Sequence, residues 1–182
     1  MGRSQEPEEL LARGRFVELV RREKWEYARR VRGTTPVGIL AVDGEGRAEA
    51  RVILISQFRV PVGKVCVEIP AGLVGDAEAH LTEAWQEAAR RELEEETGYT
   101  AESFEELSEG PTSAGMSAEL IKLVRARGVK KKGAQMPDGE EEITVHEVPL
   151  REVDTFLRGQ VGQGRLIDPK VYAALYFLNR SE

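Results

Sequence analysis

Residues 81–97, LTEAWQEAARRELEEET, contain neither Gly nor Pro and are dense in good helix formers, and Gly98 stands where a helix C-terminal cap belongs. The segment predicts a helix. At about 100° per residue, Leu81, Trp85, Ala88, Glu92 and Glu96 share one stripe. The first three are apolar and should face the core; the last two continue that face as carboxylates, with Glu95 beside them. Glu94 points to the other side and reads as solvated. Burying carboxylates without a partner costs several kcal/mol or forces their pKa upward. A divalent cation removes both the burial penalty and the mutual repulsion, and all-oxygen ligation favours magnesium or manganese. The competing reading is an exposed acidic helix end, since charge runs are usually solvated. Against it, carboxylates near a helix C-terminus oppose the macrodipole at about 0.3–1 kcal/mol each.

Composition narrows the field. A chain of 182 residues suits one domain with a sizeable core, and 41% hydrophobic against 32% charged residues is an ordinary globular balance. No apolar stretch approaches the roughly 20 residues needed to cross a bilayer, and the N-terminus MGRSQEPEELLARGR lacks the apolar run of a secretory signal. Cys66 is alone, so no internal disulfide forms and a reducing, cytoplasmic setting is expected. With two histidines, His80 and His146, a thiolate zinc site is excluded. A net charge of −6 disfavours nucleic acid as a partner.

Along the chain, residues 1–13 read as a flexible, charged terminus. FVELV and WEYARRV, separated by RREK, read as extended, with a helix over 16–31 as the competitor. Val37–Val42 is a strand closed by the turn Asp43-Gly44-Glu45-Gly46; ARVILISQF is its expected hairpin partner, and KVCVEI a third strand ending at Pro70. Ala118–Val124 reads as strand, 125–142 as a long loop containing Lys130-Lys131-Lys132, ITVHEV as strand and LREVDTFLRG as a short helix. Asp168-Pro169 opens a last helix, KVYAALYFLNR, as N-cap and first helical residue. The sum is one α/β domain with an N-terminal extension.

The run Arg91-Glu92-Leu93-Glu94-Glu95-Glu96-Thr97-Gly98-Tyr99 resembles the second half of the Nudix box, R-E-aliphatic-x-E-E-x-G. Upstream, Gln57-Phe58-Arg59 and Glu68-Ile69-Pro70-Ala71-Gly72-Leu73 resemble the Q-F/Y-R and E-x-P-A-G-L segments of the branch that cleaves ADP-ribose and related nucleoside diphosphate sugars. The likeness spans roughly 15–178. It departs at one place: the box sets its first Gly 14 positions before the Arg, whereas Gly72 and Arg91 stand 19 apart, an insertion of five. Counting back from Arg91 selects Glu83, with Ala77 at the Gly position; counting forward from Gly72 selects Glu78. Glu83 is preferred because it is expected on the same continuous helix as Arg91.

The resemblance implies a Nudix fold, an α/β/α sandwich around a central mixed β-sheet with an N-terminal antiparallel strand extension over 14–35 and the hydrolase domain over 36–182. It implies Glu92 and Glu96 as main ligands to Mg2+ or Mn2+, Glu95 as a further or water-mediated ligand with a catalytic share, and the carbonyl of Ala71 completing the set. Arg91 would hold the ligand helix in place, Gly98 cap it, and Gly72 and Glu83 complete the motif. A general base is expected on the loop Asp138-Gly139-Glu140-Glu141-Glu142 before the strand ITVHEV: Glu141 by one alignment, Glu140 by the other. Phe16, Trp25 and Glu26 lie in strands resembling the swapped N-terminal region of a homodimer, where aromatics of two subunits sandwich adenine. Arg30 and Arg59 would hold diphosphate or ribose, Glu68 would accept from ribose hydroxyls or hold Arg59, and Gly115 and Met116 would line the pocket.

The function so implied is Mg2+-dependent hydrolysis of ADP-ribose to AMP and ribose 5-phosphate. The alternatives are another nucleoside diphosphate sugar, such as GDP-mannose or ADP-glucose, or a catalytically silent module that binds one. Loss of the helix carboxylates would mark the silent form, and Glu92, Glu95 and Glu96 are all present.

Overall fold

A computed structural model describes residues 7–32, 34–75, 82–136 and 142–180. Three N-terminal strands, β1 (Glu9–Arg13), β2 (Val17–Arg22) and β3 (Trp25–Arg30), form an antiparallel sheet in the order β1-β2-β3. The expected flexible terminus therefore does not extend over Glu9–Arg13. ELLAR carries few strand-forming side chains, but its backbone ladder with β2 suffices, Glu9 facing Arg21 and Arg13 facing Glu18. On β2 the usual alternation is reversed: Glu18 and Val20 are buried while Val17 and Leu19 are exposed.

Next come β4 (Pro36–Leu40), β5 (Val42–Asp43), β6 (Arg51–Arg59), β7 (Lys64–Glu68) and β8 (Ala71–Leu73). Helix α1 covers Trp85–Thr97, followed by β9 (Tyr99–Thr100), β10 (Ser103–Pro111), β11 (Leu120–Arg127) and β12 (Lys130–Lys131). The chain closes with β13 (Thr144–Pro149), α2 (Val153–Gly162), β14 (Leu166–Ile167) and α3 (Pro169–Leu178). Asp168 caps α3 as expected, its side chain accepting from the Lys170 amide at 2.8 Å.

Two mixed sheets form the middle layer. One runs β10-β11-β4-β8, with β11 and β4 parallel; the other runs β13-β6-β7-β14, with β7 and β14 parallel and β5 paired to β6. The predicted strand Val37–Val42 is thus divided. Its first part joins β11 and β8, and only Val42–Asp43 pairs with Arg51–Val52 in the expected hairpin. The Ile53 amide also donates to the Ala41 carbonyl at 2.9 Å.

The strand period then sorts side chains into two cores. Val37, Ile39, Ala41, Ile53 and Val124 pack with Ala88, Ala89 and Leu93 of α1. Leu40, Val42, Val52, Leu54 and Leu123 pack with Val153 and Leu157 of α2 and Val171 and Ala174 of α3. Helices on both faces of the sheet layer give the α/β/α sandwich.

Three further expectations change. The helix begins at Trp85, after an extended Ala84 (φ −71°, ψ 148°), so Glu83 lies before it rather than on it; Leu81 lies outside the described residues. The stretch 125–142 is not wholly loop, because β11 runs on to Arg127 and Lys130–Lys131 pair with Tyr99–Thr100. The acid-rich β10 carried no apolar alternation strong enough to mark it. Among the described residues no helix is long and apolar enough to cross a membrane.

Candidate active site

The acidic end of α1 meets the strand that follows Pro70. The Ala71 amide donates to Glu96 Oε2 at 2.9 Å, and Glu96 is 6% exposed. Gly72 lies against Glu92: a Cβ built on it would fall 1.8 Å from Glu92 Cδ. The missing side chain at Gly72 is therefore what admits the Glu92 carboxylate. Arg91 draws its neighbours together, donating to Glu92 Oε1 at 2.8 Å, Glu95 Oε2 at 3.1 Å, Glu83 at 3.2 Å and the Leu73 carbonyl at 3.3 Å. Burial works against its charge, but the Glu83 and Glu92 carboxylates outweigh it and push the guanidinium pKa upward. Arg91 thus ties the helix to both segments that precede it, and Glu83, selected from the sequence only as a motif position, proves to be one of its partners although it lies outside the helix.

Gly98 ends the helix with φ 73°, and its amide donates to the Glu94 carbonyl. Glu94 turns away as expected but is paired rather than merely solvated, accepting from Thr100 Oγ1 at 2.6 Å and Lys132 Nζ at 2.7 Å, contacts that hold its pKa down against burial.

Ala71, Gly72, Arg91, Glu92, Glu95 and Glu96 line one cleft of about 620 Å³ together with Arg30, Arg59 and Glu68. Glu68, 4% exposed, accepts both donors of the Arg59 fork, at 2.7 and 2.5 Å. Arg30 pairs with Glu119 at 2.6 Å. Glu119, Asp168 and Lys170 also line the cleft, although nothing in the sequence marks them as cleft residues. The sequence marks Asp168 as a helix cap, and Glu119 reaches the cleft only through the long-range pairing of β11 with β4. Cys66 sits in the wall, and burial, with Glu68 nearby, pushes its thiol pKa up.

The remaining predicted residues lie elsewhere in this single chain. Trp25, 53% exposed, and Gly115 line a separate cleft of about 500 Å³ with Arg22 and Tyr27. Phe16 is 68% exposed, with the Arg15 guanidinium 4.9 Å from its ring centre. Glu26 is exposed and paired with Arg21 at 3.0 Å. Met116 is exposed, its carbonyl accepting from the Ala28 amide at 2.9 Å. Glu140 and Glu141 lie outside the described residues.

The donor set suits a hard divalent cation, being three carboxylates on one helix and a neighbouring backbone carbonyl, with Gly72 leaving room for Glu92. As the side chains stand, no three His, Cys, Asp or Glu among the described residues converge into a ready-made cage. Arg91 takes one oxygen each of Glu92 and Glu95, and the Ala71 amide takes one of Glu96.

Known proteins similar to this chain agree with its fold. The family described as NUDIX domain matches residues 33–174. A Bacillus methanolicus protein named methanol dehydrogenase activator is 33% identical over 153 residues, covering 84% of this chain and 76% of its own. An ADP-ribose pyrophosphatase of Bacillus subtilis is 32% identical over 148 residues, covering 80% and 72%. A crystal structure described as an ADP compounds hydrolase superposes with a TM-score of 0.64 at 21% identity, covering 84% of this chain and 80% of that one, which speaks to the fold. With its acidic helix, its glycine-backed glutamate and its three-layer fold, the chain belongs to the NUDIX domain family of hydrolases.

Proposed function

We propose that the protein hydrolyses the diphosphate bond of ADP-ribose, adding water across the P–O–P bridge to release AMP and ribose 5-phosphate. Mg2+, with Mn2+ as a substitute, would be held by Glu92, Glu95, Glu96 and the Ala71 carbonyl. When bound, the cation offsets the phosphate charge and provides a water able to attack near neutral pH. The observation that carries the reading is the seating of the helix carboxylates on the Ala71-Gly72 segment inside the cleft.

The chain's own groups then have distinct tasks. Arg91 keeps the carboxylates facing the cleft and, by sharing their oxygens, holds the acidic cluster together before a cation arrives. Arg59 and Arg30 offer guanidinium forks to diphosphate oxygens or the terminal ribose, each steadied by its own carboxylate, Glu68 or Glu119. Glu141, or Glu140 if the loop is read one residue earlier, takes the proton from the attacking water.

Adenine recognition falls to a second copy. In one chain Trp25 lies in a different cleft from Glu92. The N-terminal sheet carries exposed Val17 and Leu19 on one face and exposed Leu10 and Trp25 on the other. A homodimer with swapped N-terminal strands, working in the cytoplasm, would cover these exposed apolar side chains and bring Trp25, Phe16 and Glu26 to the partner's cleft, with Gly115 and Met116 at its edge.

A panel of nucleoside diphosphate sugars assayed with magnesium, with products separated by chromatography, tests this. ADP-ribose should give the highest kcat/KM and yield AMP. A higher value for GDP-mannose or ADP-glucose would overturn the substrate, and turnover of none of them would overturn the hydrolytic reading.

A further inference from the structure

Strands β6 and β7 supply one wall of the main cleft. Gln57 and Arg59 line it from β6, Cys66 and Glu68 from β7. In the ladder Gln57 stands opposite Cys66. Arg59 lies beyond Gln57 in one direction and Glu68 beyond Cys66 in the other, so their ion pair crosses the Gln57–Cys66 row. Gln57 is thereby a diagonal neighbour of Glu68, at a spacing that long side chains can bridge.

The charged side chains of the cleft are engaged with one another. Arg59 holds Glu68, Arg30 holds Glu119 and Lys170 holds Asp168. The carboxylates of α1 are taken by Arg91 and the Ala71 amide. Gln57 differs. It is 8% exposed, and its side-chain amide makes no hydrogen bond to any of the described residues. Burying an amide without a partner is unfavourable, and native folds contain few such groups. In the wall of a ligand cleft, the partner is the ligand's to supply.

We propose that Gln57 binds the sugar of the substrate remote from the nucleoside, hydrogen-bonding its hydroxyls and so selecting nucleoside diphosphate sugars over bare nucleoside diphosphates. This rests on the reading of the cleft as a site for nucleoside diphosphate sugars and assigns one of its contacts. The chemistry of the spot favours hydroxyls over phosphate. An amide offers a carbonyl oxygen and an NH2 group side by side, and a hydroxyl can meet either. An ionised phosphate only accepts, so here it would face the Gln57 carbonyl oxygen and the buried Glu68 carboxylate. In the proposed dimer the aromatics of the partner chain take adenine, which leaves the remote sugar to this wall.

Calorimetric titration of the full chain in magnesium tests this. The probes are α,β-methylene ADP-ribose, which resists hydrolysis, and α,β-methylene ADP, which lacks the remote sugar; the corresponding GDP-mannose and GDP analogues replace them if GDP-mannose is the better substrate. Gln57→Met keeps the length of the side chain and loses both hydrogen-bonding atoms. Its affinity for the sugar analogue should fall about fivefold or more, the scale of a neutral hydrogen bond, with the sugar-free analogue within about twofold of the parent. Gln57→Asn, which withdraws the amide by one methylene, should lose affinity with the same selectivity. Because the fold gives up no hydrogen bond, the melting temperature of Gln57→Met should hold or rise, which a structural role would not allow. An equal loss for both analogues, no loss for either, or a melting temperature lower by more than about 4 °C each overturns the sugar contact alone. A parent chain that binds neither analogue and hydrolyses no nucleoside diphosphate sugar overturns the hydrolytic reading, and the contact with it.

Discussion

Glu92 occupies the space that any side chain at position 72 would need, with its Cδ 1.8 Å from where a Gly72 Cβ would stand. The obstructing atoms belong to the end of a flexible side chain, so the backbone can stay while the carboxylate moves. Gly72→Ala should therefore leave the melting temperature nearly unchanged while lowering metal-dependent turnover by about tenfold or more. Circular dichroism melts and a magnesium titration of activity check the two halves of that statement; normal turnover would show that Glu92 does not need its place beside Gly72.

Glu96→Gln keeps an acceptor for the Ala71 amide and removes the charge. The fold should survive, and turnover should fall by orders of magnitude at any magnesium concentration. Near-normal activity would rule out Glu96 as a ligand.

The two readings of the loop base separate by kinetics. Glu141→Gln should depress kcat by about a hundredfold or more with the magnesium dependence of the rate unchanged, the size expected for a lost general base. If Glu140→Gln does this and Glu141→Gln does not, the base is one residue earlier.

Gly98 bears two constraints, a left-handed φ of 73° and the close Gly133 carbonyl. Gly98→Ala should cost about 1–3 kcal/mol from backbone strain alone, and more as the Gly133 backbone is pushed away. Chemical denaturation should show the loss.

Burial, reinforced by the positive charge of Arg165, pushes the His146 imidazole below its ordinary range while Ser56 Oγ lies 2.9 Å from its Nε2. The unfolded chain then binds the proton first. Stability is intact above about pH 6.5 and falls as pH drops from there through the depressed value. Urea melts at pH 7.5 and 5.5 should show that slope, and His146→Gln, which can still bond Ser56, should flatten it.

The acidic helix was legible because its signal is local: apolar and acidic residues repeat at the helical period, and Gly98 marks the stop. The helix start was not legible. Thr82-Glu83-Ala84 are helix-tolerant residues, yet Ala84 is extended and Glu87 reaches back to its amide at 3.3 Å. Motif spacing selected Glu83 as a position, and the structure adds its ion pair with Arg91, made through space rather than along one helix. Strands β1 and β10 escaped notice because their order comes from ladders with β2 and β11 rather than from apolar alternation. Glu119 and Lys170 were invisible as cleft residues because only tertiary pairing brings them there. Trp25 and Phe16 stand out in the sequence, but one chain alone does not carry them to the carboxylates.

The arginines of the cleft already have carboxylate companions, Arg59 with Glu68 and Arg30 with Glu119. A polyanion arriving there trades places with a resident acid instead of dropping into an open well of positive potential. Its grip in the ground state is a difference between two similar attractions, and so a modest one. That arrangement gives up little binding energy to the intact molecule or its fragments and leaves these two guanidinium groups paired between turnovers.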